Sequence, residues 1–259
     1  MSLNYPIVLV HGIIAHDRGK FNIFWGRIPR ILKKKGIRVF FGNTDAWGTC
    51  DSNAKILKTT IEKILLETKA KKVNIIAHSK GGIDSRYLIW KHNFEDKVAS
   101  LITINTPHYG STLSDWICER KIFKYRFTKK SLNIFAKLYG DTNPDLYGVF
   151  CQLTTNKMKE FNAHVIMNDK VYFQSLYTTL KNSSDDLLYF FSHRYLKRIS
   201  GENDGIVSEN CAIYGKNAVK IEGSISHSEI LDIKRRKISG INIPDIYVKI
   251  VEDLVEKGF

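Results

Sequence analysis

"VNIIAHSKGGIDSRYLIW" runs from Val73 to Trp90 and changes character at its middle. Val73 to Ala77 is a mostly apolar, β-favouring run. After His78-Ser79-Lys80-Gly81-Gly82 the apolar residues Ile83, Tyr87 and Trp90 recur four and three apart, the period of a helix. A serine therefore stands where a strand becomes a helix, with glycines just behind it. A hydroxyl is a poor nucleophile until a neighbouring base takes its proton, and it must stand clear of its own backbone to reach a carbonyl carbon. A sharp strand-to-helix turn gives that exposure. It also crowds the residues two before and two after the serine, here Ala77 and Gly81, with Gly82 following. The helix start aims unpaired backbone N–H groups at the same place, so the amide of Lys80 is a candidate donor to an oxyanion. The competing reading of Ser79 is a helix N-cap beside phosphate-binding glycines, but neither a dinucleotide fingerprint nor a P-loop accompanies it.

Working outward, the first hundred residues alternate between strand-like and helix-like segments. Strand patterns occupy 5–10, 37–41, 72–77 and 98–105; helical patterns lie near 22–35, from Ser52 to Lys69 and from Gly81 to Lys91. Near-continuous apolar strands between amphipathic helices predict a mostly parallel, doubly wound α/β sheet of about six strands, with ligands at the strands' carboxyl ends. Strands at 171–177 and 218–223 complete it. A helix is expected to open at Ser183, Ser184, Asp185 and Asp186, and a closing one near Pro244. From Ser111 to Ile166 the alternation fades into helices and loops. The reading is one domain over 1–259, with a core of 1–110 and 167–259 and a cap inserted at 111–166.

The base that activates Ser79 has to come from elsewhere in the chain. In a nucleophile-elbow enzyme the order is serine, acid, histidine. Of the histidines after Ser79, His227 lies just past the last predicted strand, in "GSISHSEIL", where a loop can present an imidazole. For the acid, "SGENDGIVSENC" offers Glu202, Asp204 and Glu209. The Asn-Asp-Gly turn favours Asp204, a carboxylate at a loop tip, although an Asx turn without catalytic work has the same appearance. A second oxyanion donor is expected from the loop after the first strand, "VLVHGIIAHD", at the amide of Ile13. His11 reads as a hydrogen-bonder that shapes that loop, and His78 is expected to point away from the serine.

Taken together these segments resemble the bacterial triacylglycerol lipases and carboxylesterases of the α/β-hydrolase superfamily, over nearly the whole chain. "YPIVLVHGI" is similar to their opening strand and oxyanion loop, and the Val73–Tyr87 stretch to their nucleophile elbow. "TPHYGS" (106–111) is similar to the lead into their lid, and "LTTNKMKEFN" (153–162) to a cap helix. "NDGIVS" (203–208) is similar to their acid turn and "HSE" (227–229) to their His-x-Asp. The resemblance implies an α/β-hydrolase fold with a lid and hydrolysis of carboxylic esters through an acyl-enzyme. It assigns Ser79 as nucleophile, Asp204 as acid, His227 as base and the amides of Ile13 and Lys80 as oxyanion hole. Three departures stand out. Ala77 replaces the first glycine of the elbow, and Lys80 stands where many relatives are neutral. Glu229 stands where the family often places a calcium-binding aspartate, so a structural Ca2+ would need Asp185 or Asp186 as second carboxylate. No cofactor is required for the chemistry.

The formal charge of +14 favours anionic partners, but no arginine cluster or nucleic-acid motif appears, so nucleic acid is not expected. The expected substrate is a lipid or ester small molecule. Within the cap, "KIFKYRFTKKSLNIFAKLYG" (121–140) interleaves Ile122, Phe123, Tyr125, Phe127, Ile134, Phe135 and Leu138 with six Lys or Arg residues. Such a segment suits either an anionic lipid interface or a packed cap helix with a solvated basic face. An acyltransferase or a non-catalytic membrane-surface binder of the same fold is the alternative reading. No signal peptide or membrane-spanning run is visible, which points to a cytoplasmic chain or a mature form without its leader. The four cysteines lack the close spacing of a zinc site, leaving one bridge or free thiols open.

Overall fold

The computed structural model describes residues 3–14, 16–17, 24–120 and 126–259, without the side chains of 126–130. Each apolar run becomes a strand of one sheet: β1 (Ile7–Val10), β2 (Val39–Phe41), β3 (Val73–His78), β4 (Val98–Ile104), β5 (Tyr172–Thr179) and β6 (Ala218–Ser224). The order is β2-β1-β3-β4-β5-β6 and every pairing is parallel. Strand order reverses between β1 and β3, so the crossovers leave in opposite directions and open a crevice at the carboxyl ends of these two strands. Val10 pairs with Ala77 at that edge. The loop His11–Ile13 and the turn at Ser79 therefore emerge side by side.

Three helices alternate with the first strands: α1 (Ile28–Lys34), α2 (Cys50–Thr68) and α3 (Lys80–Lys91). Four more, α4 (Thr112–Glu119), α5 (Arg126–Tyr139), α6 (Leu146–Gln152) and α7 (Thr155–His164), lie between β4 and β5, in the span read as a cap. The chain then forms α8 (Phe190–Ser200), the short α9 (Glu209–Ala212) and α10 (Ile243–Glu256). Alternate residues of β1 serve opposite faces. Ile7 and Leu9 pack with Ile28 and Leu32 of α1 and Tyr247 and Val251 of α10, while Val8 and Val10 pack with Leu57 and Ile61 of α2 and Leu88 of α3. All eleven side chains are fully buried, and each is worth about 1.5–3 kcal/mol of transfer free energy where it is aliphatic.

Two expected helix starts move. Among the described residues, the run expected near 22–35 is helical from Ile28, because Pro29 occupies the first turn and fixes where the helix begins. The helix expected to open at Ser183 is instead two 3₁₀ turns, Ser183–Asp185 and Leu187–Tyr189, ahead of α8. Asn182 and Asp185 form a reciprocal capping box around the first turn. Asp186 then adopts extended backbone and caps the second through Leu188 N–H, so each short polar side chain closes a turn instead of propagating one helix.

In the span read as a cap, Ile122, Phe123 and Tyr125 and the side chain of Phe127 lie outside the described residues. Farther along α5, Ala136 is buried while Ile134, Phe135 and Leu138 are exposed, Leu138 by 83%. All four cysteines are free thiols. Among the described residues no helix is long and apolar enough to cross a membrane.

Candidate active site

Ser79 follows the last residue of β3 and precedes α3, with φ +54° and ψ −131°. That backbone is costly for a residue with a Cβ, by about 1–3 kcal/mol, and persists only where the surroundings over-determine it. Close packing does so here. A Cβ on Gly81 would sit 2.4 Å from the carbonyl oxygen of His11 and 2.6 Å from that of Val10, and a Cβ on Gly12 would sit 2.7 Å from that of Ser79. The two backbones approach so closely that only glycine fits at either point. The Ser79 amide donates to Ile104 O at 2.9 Å, and Ser79 O accepts from Thr106 Oγ1 at 2.8 Å, so both peptide groups of the elbow are engaged.

The structure brings Ser79, His227 and Asp204 together across 148 residues of sequence. Nε2 of His227 lies 3.0 Å from Ser79 Oγ, and Nδ1 lies 2.6 Å from Asp204 Oδ2. An ionised carboxylate only accepts, so the ring proton belongs on Nδ1 and Nε2 is left to accept from the serine hydroxyl. Asp204 is itself fixed. Its Oδ1 accepts the amides of Ile206 and Val207 at 2.9 and 2.7 Å, an Asx turn that orients the carboxylate instead of competing with the ring contact. Its carbonyl takes the His227 amide at 2.9 Å. Gly205, at φ +101°, allows the turn.

The amides expected to form an oxyanion hole sit as follows. Lys80 is the first residue of α3, where a helix leaves its N–H without an intrahelical partner. Ile13, half-buried, packs against a cluster in which Cys50 and Ile83 meet Val149 of α6, Leu153 and Met158 of α7. His11 shapes that loop: Nδ1 lies 2.7 Å from Gly12 O and Nε2 3.1 Å from Thr44 O. The side chain of Lys80 turns inward, and Nζ donates to both oxygens of Asp84, at 2.6 and 2.8 Å. Asn53 Nδ2 adds a bond to Asp84 at 2.8 Å.

His78 faces away from the serine, as read from sequence, yet it is coupled to the site. Its Nε2 donates to the carbonyl oxygen of His227 at 2.9 Å, and the two rings are 4.7 Å apart. Burial, and then the neighbouring His227, hold its pKa well below the ordinary histidine value, so it is neutral. Sequence offered no signal for this bond, which joins the end of β3 to the turn after β6.

The turn that carries His227 is held on both sides. At its far end Asp232 accepts three bonds of 2.7–2.8 Å from the backbone and guanidinium of Arg27. On the near side the carboxylates considered for calcium appear with other partners. Asp185 is engaged by Ser224 Oγ and by the Asn182 amide. Asp186 accepts from Ser226 Oγ at 2.7 Å, and Glu229 accepts from the Ser226 amide at 3.0 Å. The ammonium of Lys234 lies 2.7 Å from Glu229 and 3.3 Å from Asp186. Among the described residues no group of three or more His, Cys, Asp or Glu side chains is placed to hold a metal ion.

Comparison with known proteins agrees with this architecture. Residues 6–223 match the sequence profile of a family described as palmitoyl protein thioesterase. The chain is 27% identical to triacylglycerol lipase 2 of Saccharomyces cerevisiae over 257 residues, covering 91% of this chain and 74% of the yeast protein. It is 30% identical over 177 residues to a triacylglycerol lipase of Pseudarthrobacter phenanthrenivorans, a match that spans 63% of this chain and 54% of that one. Among solved structures, the mature lipase of Bacillus licheniformis superposes with a TM-score of 0.67 at 25% identity, covering 95% of this chain and 91% of that one. Staphylococcus hyicus lipase superposes at 0.74 with 17% identity, covering 98% and 96%, a likeness of fold. The fold is that of the α/β-hydrolase lipases and esterases.

Proposed function

The chain belongs to the palmitoyl protein thioesterase family, and from that premise we propose that it cleaves a carboxylic ester of a lipid through an acyl-enzyme carried by Ser79. The observation that carries this reading is the continuous run of short contacts from Ser79 Oγ through His227 to Asp204 on a strained strand-to-helix turn. Ester hydrolysis as the reaction class is also what the relatives named lipase and esterase have in common.

In the proposed reaction Ser79 Oγ attacks the carbonyl carbon while its proton passes to His227 Nε2. Asp204 stabilises the imidazolium that results, worth several kcal/mol in a water-poor site. The amides of Ile13 and Lys80 receive the negative charge that develops on the carbonyl oxygen. Collapse breaks the ester C–O bond, and the leaving alcohol takes the proton from His227. Water then gives a proton to Nε2 and attacks the acyl carbon. The acid departs, and the proton returns to Ser79 Oγ.

An acyl-glycerol or related lipid ester is the substrate class we favour. The exposed apolar side of α5, with Phe135 and Leu138, supports a substrate met at a lipid surface. A fluorophosphonate probe tests the nucleophile: wild type should label rapidly and Ser79→Ala should not. Equal labelling of the two, or none of either, rejects the acyl-enzyme. A panel of p-nitrophenyl esters from acetate to palmitate, run beside an acyl thioester, then separates ester from thioester preference.

A further inference from the structure

The bacterial triacylglycerol lipases that the sequence resembles often fix their histidine loop with a calcium ion, and the residues present do not fit that ion. Asp186 and Glu229 are the two carboxylates bonded to Ser226, the residue before His227, and both are almost fully buried. Two buried carboxylates facing one another repel, and each would be strongly destabilising without a compensating cation. A hard divalent ion answers this with several oxygen ligands. Here the space is taken by a positive charge from the chain itself, the Lys234 ammonium, which contacts Glu229 Oε1 at 2.7 Å and Asp186 Oδ2 at 3.3 Å.

We propose that Lys234 is a positioning residue: its ammonium takes the place of a divalent cation between Asp186 and Glu229 and so clamps the turn that presents His227. The connection is short. Asp186 Oδ2 also accepts from Ser226 Oγ, and Glu229 Oε2 accepts from the Ser226 amide. Ser226 Oγ in turn lies 3.3 Å from the Glu229 amide. Ser226 is the residue before His227, so both carboxylates that Lys234 draws together grip the peptide that sets the imidazole's direction. Burial disfavours the charged amine, but its bonds to Glu229 and Asp186 outweigh that and hold its pKa above the ordinary lysine value. Its side chain keeps one-third of its surface in contact with water, which lowers the cost of placing a charge there. The Arg27–Asp232 pair anchors the other end of the same turn, so the loop is held by two intramolecular cations.

This inference rests on His227 serving as the base, and the experiment separates the two ideas. On p-nitrophenyl butyrate, wild-type kcat should be unchanged by a chelator or by millimolar calcium. Lys234→Ala should lower kcat by about tenfold or more, as a misdirected base does, with KM within about twofold. Lys234→Arg should retain the wild-type rate. Millimolar calcium or ethylammonium should restore part of the rate to Lys234→Ala alone, and should raise the melting temperature of that variant and not of wild type. The melting response reads the clamp even if the enzyme turns over no ester, whereas a silent Ser79→Ala control with active wild type reads the catalytic assignment. Should Lys234→Ala not fold, Lys234→Gln takes its place. A wild type slowed by chelation, a Lys234→Ala with wild-type kcat, or a loss that neither cation relieves overturns the proposal.

Discussion

Asp204 holds His227 at two points: its Oδ2 lies 2.6 Å from ring Nδ1, and its backbone carbonyl accepts the His227 amide at 2.9 Å. Asparagine at 204 keeps an oxygen for the Ile206 and Val207 amides and leaves the main-chain bond intact. It presents an NH2 group to the ring, however, which forces the imidazole proton onto Nε2, where it can no longer accept from Ser79. Asp204→Asn is therefore expected to lower kcat by about 10⁴-fold with little change in thermal stability. Steady-state kinetics on a soluble ester beside a circular-dichroism melt reads both. A variant within tenfold of wild type would mean that the carboxylate only shapes its own turn.

Two buried histidines predict how stability follows pH. Burial, and then His227, depress the pKa of His78; burial, and then the Arg86 guanidinium, depress that of His108. Both are well below the ordinary value of 6.5. His108 accepts from Arg86 Nη1 at 3.2 Å through Nδ1, a bond that protonation would abolish. The folded state thus resists protonation while the unfolded chain accepts it freely. Stability is whole above the unfolded value and declines as pH falls through about 6.5, by up to about 1.4 kcal/mol per pH unit for each histidine. Urea unfolding between pH 7.5 and 5.5 should show this slope, and His78→Gln should flatten it. An unchanged slope in the variant excludes His78 as a source.

How much of this was legible in sequence follows from the range of the interactions. The central strands β1, β3 and β4 were visible because they are buried along their whole length, so their runs are mostly apolar, as in Val98–Ile104. The elbow was visible because its constraint is local: Ala77, Ser79 and Gly81 must share one tight turn. Asp204 and His227 could be ranked from chain order and turn chemistry, and both lie at Ser79 in the fold. What sequence withheld are side-chain contacts between distant segments. The bond from His78 to the His227 carbonyl joins residues 149 apart, and Lys234 meets both Glu229 in its own loop and Asp186 in the segment before α8. The 3₁₀ turns before α8 were missed because Ser183, Asp185 and Asp186 favour a helix start and an isolated turn by the same bonds.

Lys80 tests whether the elbow tolerates an unpaired charge. Its side chain is buried against Asp84, with both partners about 1% exposed. Removing the acid alone leaves an ammonium in the interior, so Asp84→Ala should cost about 3–5 kcal/mol. Replacing both, as in Lys80→Met with Asp84→Leu, removes the charge together with its partner and should recover most of that loss. Urea unfolding of the two singles and the double yields the coupling. Full additivity would show that the pair is not energetically linked.

The outward face of α5 bears on how substrate arrives. Phe135 and Leu138 are 67% and 83% exposed while Ala136 between them is buried, so the helix turns its large apolar side chains to solvent and a small one inward. In water that arrangement gives up burial worth about 2 kcal/mol per side chain, which an oil or membrane surface would return. The basic character of the same segment adds attraction to anionic headgroups, screened beyond about 10 Å at 0.1 M salt. Phe135→Ser with Leu138→Ser should thus lower the rate on emulsified tributyrin by at least about tenfold. Turnover of p-nitrophenyl butyrate below its solubility limit should stay within about twofold. Vesicles containing phosphatidylserine should retain wild type more strongly than the double variant in co-sedimentation, with the difference shrinking as salt rises. Equal losses on the two substrates would instead place these side chains in the packing of the acyl crevice.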